Sequence, residues 1–320
     1  MAVKNSLVAQ QGGTVQKKQG FSEIINSVPY QRMISNTLKD RATANRFISS
    51  IVSAVATSPA LQECTAKTVV SAALLGEGLK LSPSPQLGQF YLVPFKQKEK
   101  VDRNGNVIQQ ACTNATFVLG YKGYVQLATR SGEYKRINAM PIKEGELIRY
   151  NPFDDEIELE YIENEELRET LPTIGYYAMF EYHNGFKKVM YWSKDKMLLH
   201  ADKYSAAFSA QAYRDIQDGK INQRDMWKYS SFWYKDFDGM ACKTMLRQLI
   251  SKWGILSIEM QRAYEADGGV IGENGEVSFS DAEREDTTPA QQEIIEAVPA
   301  EPENNSQEEE SNDFSELLGG

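Results

Sequence analysis

Residues 268 to 320 carry fifteen Asp and Glu against a single cation, Arg284, and their stretch PAEPENNSQEEESND holds no large apolar side chain. A segment with so much like charge and so little to bury cannot offset the entropy of ordering its backbone. It is expected to be a disordered acidic tail. Residues 1 to 20 are rich in Gln, Gly and Lys without apolar periodicity and read as a flexible arm, which confines compact folding to residues 21 to 267. The tail also accounts for the net charge of −9: its own balance is −14, and the first 267 residues hold 34 Lys and Arg against 29 Asp and Glu, or +5. A low overall pI therefore leaves room for an anionic partner of the body.

Within the body the apolar pattern changes period twice. Phe47, Ile48, Ile51 and Val55 lie at helical spacing in TANRFISSIVSAVAT, and TAKTVVSAALLG (residues 65–76) repeats the pattern before a Ser-Pro-Ser-Pro turn at 82–85. Short aromatic and β-branched runs follow at Gln89–Phe95, Ala115–Leu119, Tyr134–Ile142, Thr173–Tyr182 and Phe186–Trp192. The last two flank His183-Asn184-Gly185, a hairpin signal. From Ser193 the helical period returns. The fold class expected is α+β, with helices before, within and after an antiparallel sheet.

Two stretches concentrate cations. In GYKGYVQLATRSG (120–132) a helix over 121–131 puts Lys122, Gln126 and Arg130 on one face and Tyr121, Tyr124, Val125 and Ala128 on another. In KDFDGMACKTMLRQLISKW (235–253) Phe237, Met240, Ala241, Leu249 and Ile250 form an apolar stripe, with Lys243 and Arg247 one turn apart and Thr244 and Gln248 beside them. A groove between the two helices could neutralise several phosphates and position a strand without reading its sequence, and Lys187, Lys188, Lys194, Lys196 and Lys203 could extend the charge. The Lys122, Gln126 and Arg130 row taken alone also reads as a solvated basic face. Seventeen aromatic residues lie between Tyr176 and Trp253. Most are expected to pack the core; Trp227, Phe232, Trp233 and Tyr234 have no assigned place.

Several chemistries lack their residues. There is no GxxxxGK[ST] to cradle ATP phosphates. His183 and His200 stand seventeen apart with no HExxH or neighbouring Cys, and Cys64, Cys112 and Cys242 form neither a disulfide framework nor a zinc site. The acidic run Asp154, Asp155, Glu156, Glu158 and Glu160 could bind Mg²⁺ in a nuclease. A solvated edge away from the basic groove, with no lysine beside it, is the favoured reading. No apolar run approaches the ~20 residues of a membrane span and no signal-peptide centre is visible, so a cytoplasmic location is expected.

Four blocks, LGQFYLVPF (87–95), GYKGYVQLATRSG, Ala201-Asp202-Lys203-Tyr204-Ser205, and residues 233–252 around MACKTMLR, resemble in sequence and order the RecT family of phage and prophage single-strand annealing recombinases. The resemblance covers roughly residues 21 to 260 and leaves both ends out. It implies a core similar to Redβ that coats single-stranded DNA, assembles into rings or helical filaments, and pairs complementary strands into duplex without ATP or another cofactor. A 5′→3′ exonuclease is the usual partner, with a host single-strand binding protein as a further one. By motif position it implies Lys122, Gln126, Arg130, Lys243, Thr244 and Arg247 in the DNA groove, with Lys203 and Lys96 as additions. No catalytic residue or metal is implied. For the tail, two expectations follow from its charge: competition with DNA for the groove, or docking of a replication-associated partner through Phe314, Leu317 and Leu318. The alternatives are the metal-dependent nuclease and a non-catalytic RNA-binding or scaffold protein.

Overall fold

The computed structural model describes residues 20–102 and 105–279. The N-terminal arm up to residue 19 and the tail from 280, with Phe314, Leu317 and Leu318, lie outside the described residues.

The first layer is helical: α1 (Phe21–Ile25), α2 (Val28–Leu38), α3 (Arg41–Ala56), α4 (Pro59–Gln62) and α5 (Ala66–Gly78). Asp40 caps α3 by accepting the Thr43 amide at 2.8 Å, satisfying one of the orphan donors of a helix start. The predicted periodicity is realised, since Phe47, Ile51 and Val55 of α3 pack with Ile25, Ile34, Leu61, Val69, Val70 and Ala73 into a core of their own. Nine of the thirteen residues of α5 are buried, because this helix lies between that core and the sheet.

Strands β1 (Phe90–Gln97), β2 (Lys100–Val101), β3 (Val107–Gln109) and β4 (Cys112–Leu119) come next, then α6 (Tyr121–Ser131). Beyond it run β5 (Tyr134–Lys143), β6 (Leu147–Asn151), β7 (Glu156–Leu159), α7 (Glu165–Thr170), β8 (Thr173–Tyr182) and β9 (Lys187–Ser193). Helices α8 (Lys194–Tyr204) and α9 (Ala210–Gln217), a 3₁₀ turn at Gln223–Lys228, α10 (Phe232–Lys235), α11 (Phe237–Trp253) and α12 (Ile258–Ala266) precede β10 (Gly269–Ile271) and β11 (Val277–Ser278). Among the described residues the strand pairs are all antiparallel, in sheets ordered β1-β4-β10-β11 and β5-β8-β9 with small ribbons β2-β3 and β6-β7. The class is α+β with antiparallel sheets packed by helices.

Helix α11 is the hub. Met245, Leu246, Leu249 and Ile250 are fully buried against Tyr176, Ala178 and Phe180 of β8 and Tyr124 and Leu127 of α6. A buried apolar side chain contributes ~1.5–3 kcal/mol each, so this stripe is where the β5-β8-β9 sheet and α6 are held together. The aromatic cluster predicted for the core is present: Phe208, Trp233 and Phe237 interlock with ring centroids 5.2–5.9 Å apart. Trp227, Phe232, Trp253 and Phe186 are the exceptions, 74%, 52%, 51% and 47% exposed.

The fold continues past residue 267. Gly268 donates its amide to the Phe117 carbonyl at 2.7 Å, β10 pairs with β4, and β11 closes a hairpin onto it. The reason is local: GVIGENGEV places Val270, Ile271 and Val277 around an Asn-Gly turn whose Gly275 has φ +82°. Averaging charge over the whole acidic stretch hides this hairpin.

Candidate nucleic-acid interface

Helix α6 exists where it does because its N-cap residue, Gly120, and Gly123 within it lack a side chain. A Cβ on Gly120 would sit 2.1 Å from the Gly88 carbonyl oxygen, and one on Gly123 2.1 Å from that of Gln89. Both obstacles are backbone, so only glycine lets the helix start abut the beginning of β1. The Gly120 amide then donates to the Gln89 carbonyl at 2.8 Å. Pinned this way, α6 buries Tyr124, Leu127 and Ala128 and turns Lys122, Gln126 and Arg130 outward as a row. Tyr121 and Val125 pack against the core. At the far end, Arg130 donates to the Leu79 carbonyl at 2.6 Å and the Lys80 carbonyl at 3.4 Å. Its charge thereby offsets the negative end of α5, which fixes the guanidinium at the surface.

The α11 cations face the other way. Thr244 and Arg247 are buried, and the Lys243 side chain is 14% exposed. Both charges converge on Asp267, a carboxylate 4% exposed at the end of α12: Lys243 Nζ lies 3.3 Å from Oδ1, and Arg247 Nη1 bonds Oδ2. Asp267 also accepts the Leu119 amide at 2.8 Å and the Tyr124 hydroxyl at 3.1 Å, and Tyr124 in turn accepts from Arg247 at 3.3 Å. Burial alone would raise the Asp267 carboxyl pKa. The charges of Lys243 and Arg247 and the bonds from Leu119 and Tyr124 outweigh it and hold the pKa below the usual carboxylate range. Burial, and then the adjacent carboxylate, push the Tyr124 phenol well up, so it stays a donor.

The expectation of an open groove walled by Lys243, Thr244 and Arg247 is thus corrected. Helices α6 and α11 do pack together, but through the inward face of α6 and a closed charge cluster. Asp267 was missed because it stands at the edge of the acidic stretch. Two cations on the apolar stripe of a buried helix were the available signal, since buried charges require a partner.

The remaining candidates are dispersed. Lys96 is exposed on β1 but, five residues from Tyr91, projects from the opposite face about 16 Å along the strand. Lys203 is exposed on α8, which packs on β8 and β9, with its Nζ 4.8 Å from the Tyr204 ring centre. A second basic surface, which includes the Lys187 expected to extend the charge, lies on the outer face of β5-β8-β9. There Lys135, Arg136 and Lys187 rim a concavity of about 630 Å³ floored by Ile137, Tyr177 and Met179. Glu181 pairs with Lys135 at 2.5 Å and with Arg136 at 3.7 Å, so part of that charge is neutralised.

The acidic run forms the β6-β7 ribbon, with Asp155 at φ +54° in its turn. A lysine does stand beside it: Lys188 Nζ is 2.7 Å from Asp155 and 3.9 Å from the Trp253 ring centre. The hairpin brings β9 against the ribbon tip, a pairing that sequence spacing does not reveal. Among the described residues no helix is long and apolar enough to cross a membrane.

A family model described as the RecT family matches residues 45–287. Among curated relatives, the uncharacterized protein YqaK of Bacillus subtilis (strain 168) is 36% identical over 260 residues, covering 81% of this chain and 74% of that protein. Protein RecT of Escherichia coli (strain K12) is 25% identical over 257 residues, covering 78% of this chain and 81% of that protein. The matched span includes α6, α11 and Asp267.

Proposed function

We propose, from the premise that this chain belongs to the RecT family, that it anneals complementary DNA strands without ATP in phage or prophage recombination. Family membership makes it a DNA-binding protein of single-strand annealing and recombination. The observation that carries the mechanism is the outward row Lys122, Gln126 and Arg130, held rigidly by the Gly120 and Gly123 contacts and by the Arg130 bonds to α5.

Cations and an amide on a fixed helix face suit phosphate oxygens, which repeat along a strand regardless of sequence. Neutralising phosphates lowers the repulsion between two strands, and holding them aligned removes part of the entropy cost of encounter. Base pairing then supplies the driving force. No covalent bond changes, so no catalytic group, nucleotide or metal is needed. Lys243 and Arg247 serve this surface at one remove, by fixing α6 and α11 to Asp267. The basic rim Lys135, Arg136 and Lys187 extends the path of the strand, and Lys203 and Lys96 are weaker phosphate contacts on separate surfaces.

Single strands long enough to span several copies favour self-association into rings or filaments. A 5′→3′ exonuclease that exposes such strands is the fitting partner, in the cytoplasm. The arm at 1–20 and the acidic tail flank this core, the tail competing with DNA or docking a replication partner such as a host single-strand binding protein. The test is the salt dependence of oligonucleotide binding by Lys122→Ala. Each lost phosphate contact should reduce the slope of log K against log salt by about 0.7 on a single strand. An unchanged slope removes Lys122 from the interface.

A further inference from the structure

Phe232 opens α10 with Ser231 as its cap, the hydroxyl oxygen accepting the Trp233 amide at 3.3 Å. The turn sends Trp233 into the core and leaves half of the Phe232 ring in water. The Phe232 ring lies 5.9 Å from that of Tyr91, tilted by 39°. Tyr91 belongs to β1 and points away from the core that its neighbour Phe90 enters.

Two glycines place Tyr91 at the foot of the phosphate row. A Cβ on Gly120, the start of α6, would be 3.1 Å from Tyr91 Cε2. One on Gly88 would be 3.2 Å from the Tyr91 hydroxyl and 3.6 Å from Lys122 Cδ, so Tyr91 and Lys122 flank the same spot. Leu87, next in chain, is also exposed. Two ring systems, an apolar rim and an ammonium are thus grouped where the outward row begins.

We infer that Tyr91 and Phe232 form a stacking site for one unpaired nucleobase of the DNA strand whose adjoining phosphate rests on Lys122. The inference deepens the proposed function and rests on it. A base offers a π-face irrespective of its identity, so the site keeps the sequence tolerance that annealing requires. The neighbouring cation distinguishes a nucleotide from a purely apolar occupant, because it matches the charge covalently attached to the base. A base held this way leaves the rings when it pairs, so the contact favours the single strand over the duplex product.

The experiment uses the full chain, a labelled oligothymidine, and the same strand carrying abasic sites throughout. Phe232→Leu keeps an apolar side chain and removes the ring face. It should weaken binding to oligothymidine by about 5- to 150-fold, the factor associated with one stacked base. Phe232→Trp should restore binding. On the abasic strand wild type and Phe232→Leu should bind equally, with the same salt slope. Equal weakening on both strands, or no weakening on either, overturns the stacking site. Failure of wild type to bind either strand would instead sink the DNA-binding surface itself, so the two outcomes are separable.

Discussion

Asp267→Asn tests whether one buried carboxylate fixes the DNA-facing helix to the hub of the fold. The substitution is nearly isosteric and keeps an acceptor for the Leu119 amide, but it takes the carboxylate charge away from Arg247, whose side chain is 6% exposed. Removing one partner of a buried ion pair costs about 3–5 kcal/mol, because the remaining charge loses its counter-ion. At about 3 kcal/mol per molar for urea in a chain of this size, the unfolding midpoint should fall by about 1–1.7 M. Adding Arg247→Met removes the buried guanidinium charge and should recover more than half of the loss, since Lys243 retains a path to solvent. The pH dependence has a definite sign. The folded carboxyl is held below its unfolded value of 3.8, so its contribution is complete above that value and is lost as pH falls through the folded pKa. Asp267→Asn should therefore flatten part of the acid limb of stability. A midpoint shift below about 0.3 M, equivalent to less than 1 kcal/mol, would refute the cluster as a stabilising anchor.

Gly123→Ala should destabilise by about 1–3 kcal/mol, since the new methyl meets the Gln89 carbonyl at 2.1 Å and backbone must move; thermal unfolding checks it, and an unchanged midpoint would contradict the close approach. Glu146→Gln should cost about 3 kcal/mol or more because the partner Arg168, 2.6 Å away, is 13% exposed; loss of the denaturation midpoint by less than a third of that would count against it. Burial pushes the thiols of Cys64 and Cys242 up to about 11 and about 12, so neither should react with a thiol reagent at pH 8 before unfolding. Half-exposed Cys112 should react first, and mass mapping of the alkylated sites decides it.

Elements set by local periodicity were legible in the sequence. Tyr121–Ser131 was readable as a helix with a cationic face, and Asn184-Gly185 as the turn of the β8-β9 hairpin, because both depend on spacing within a dozen residues. The inward turn of Lys243 and Arg247 was not legible. It depends on Asp267, which is close only after α12 and β10 return to β4. The exposed rings of Phe232 and Trp227 escaped for the reverse reason: composition says that aromatics bury, and only the path of the chain between α9 and α11 decides which do not. The β10-β11 hairpin shows how a short signal disappears inside a long charged window.

The most direct measurement mixes complementary oligonucleotides bearing donor and acceptor dyes and follows energy transfer with and without the protein, in the absence of ATP and at several salt concentrations. The result expected is an acceleration of pairing that weakens as salt rises, is absent for non-complementary strands, and is reduced in Lys122→Ala. Tight binding of each strand with no acceleration of pairing would contradict annealing as the activity of this chain.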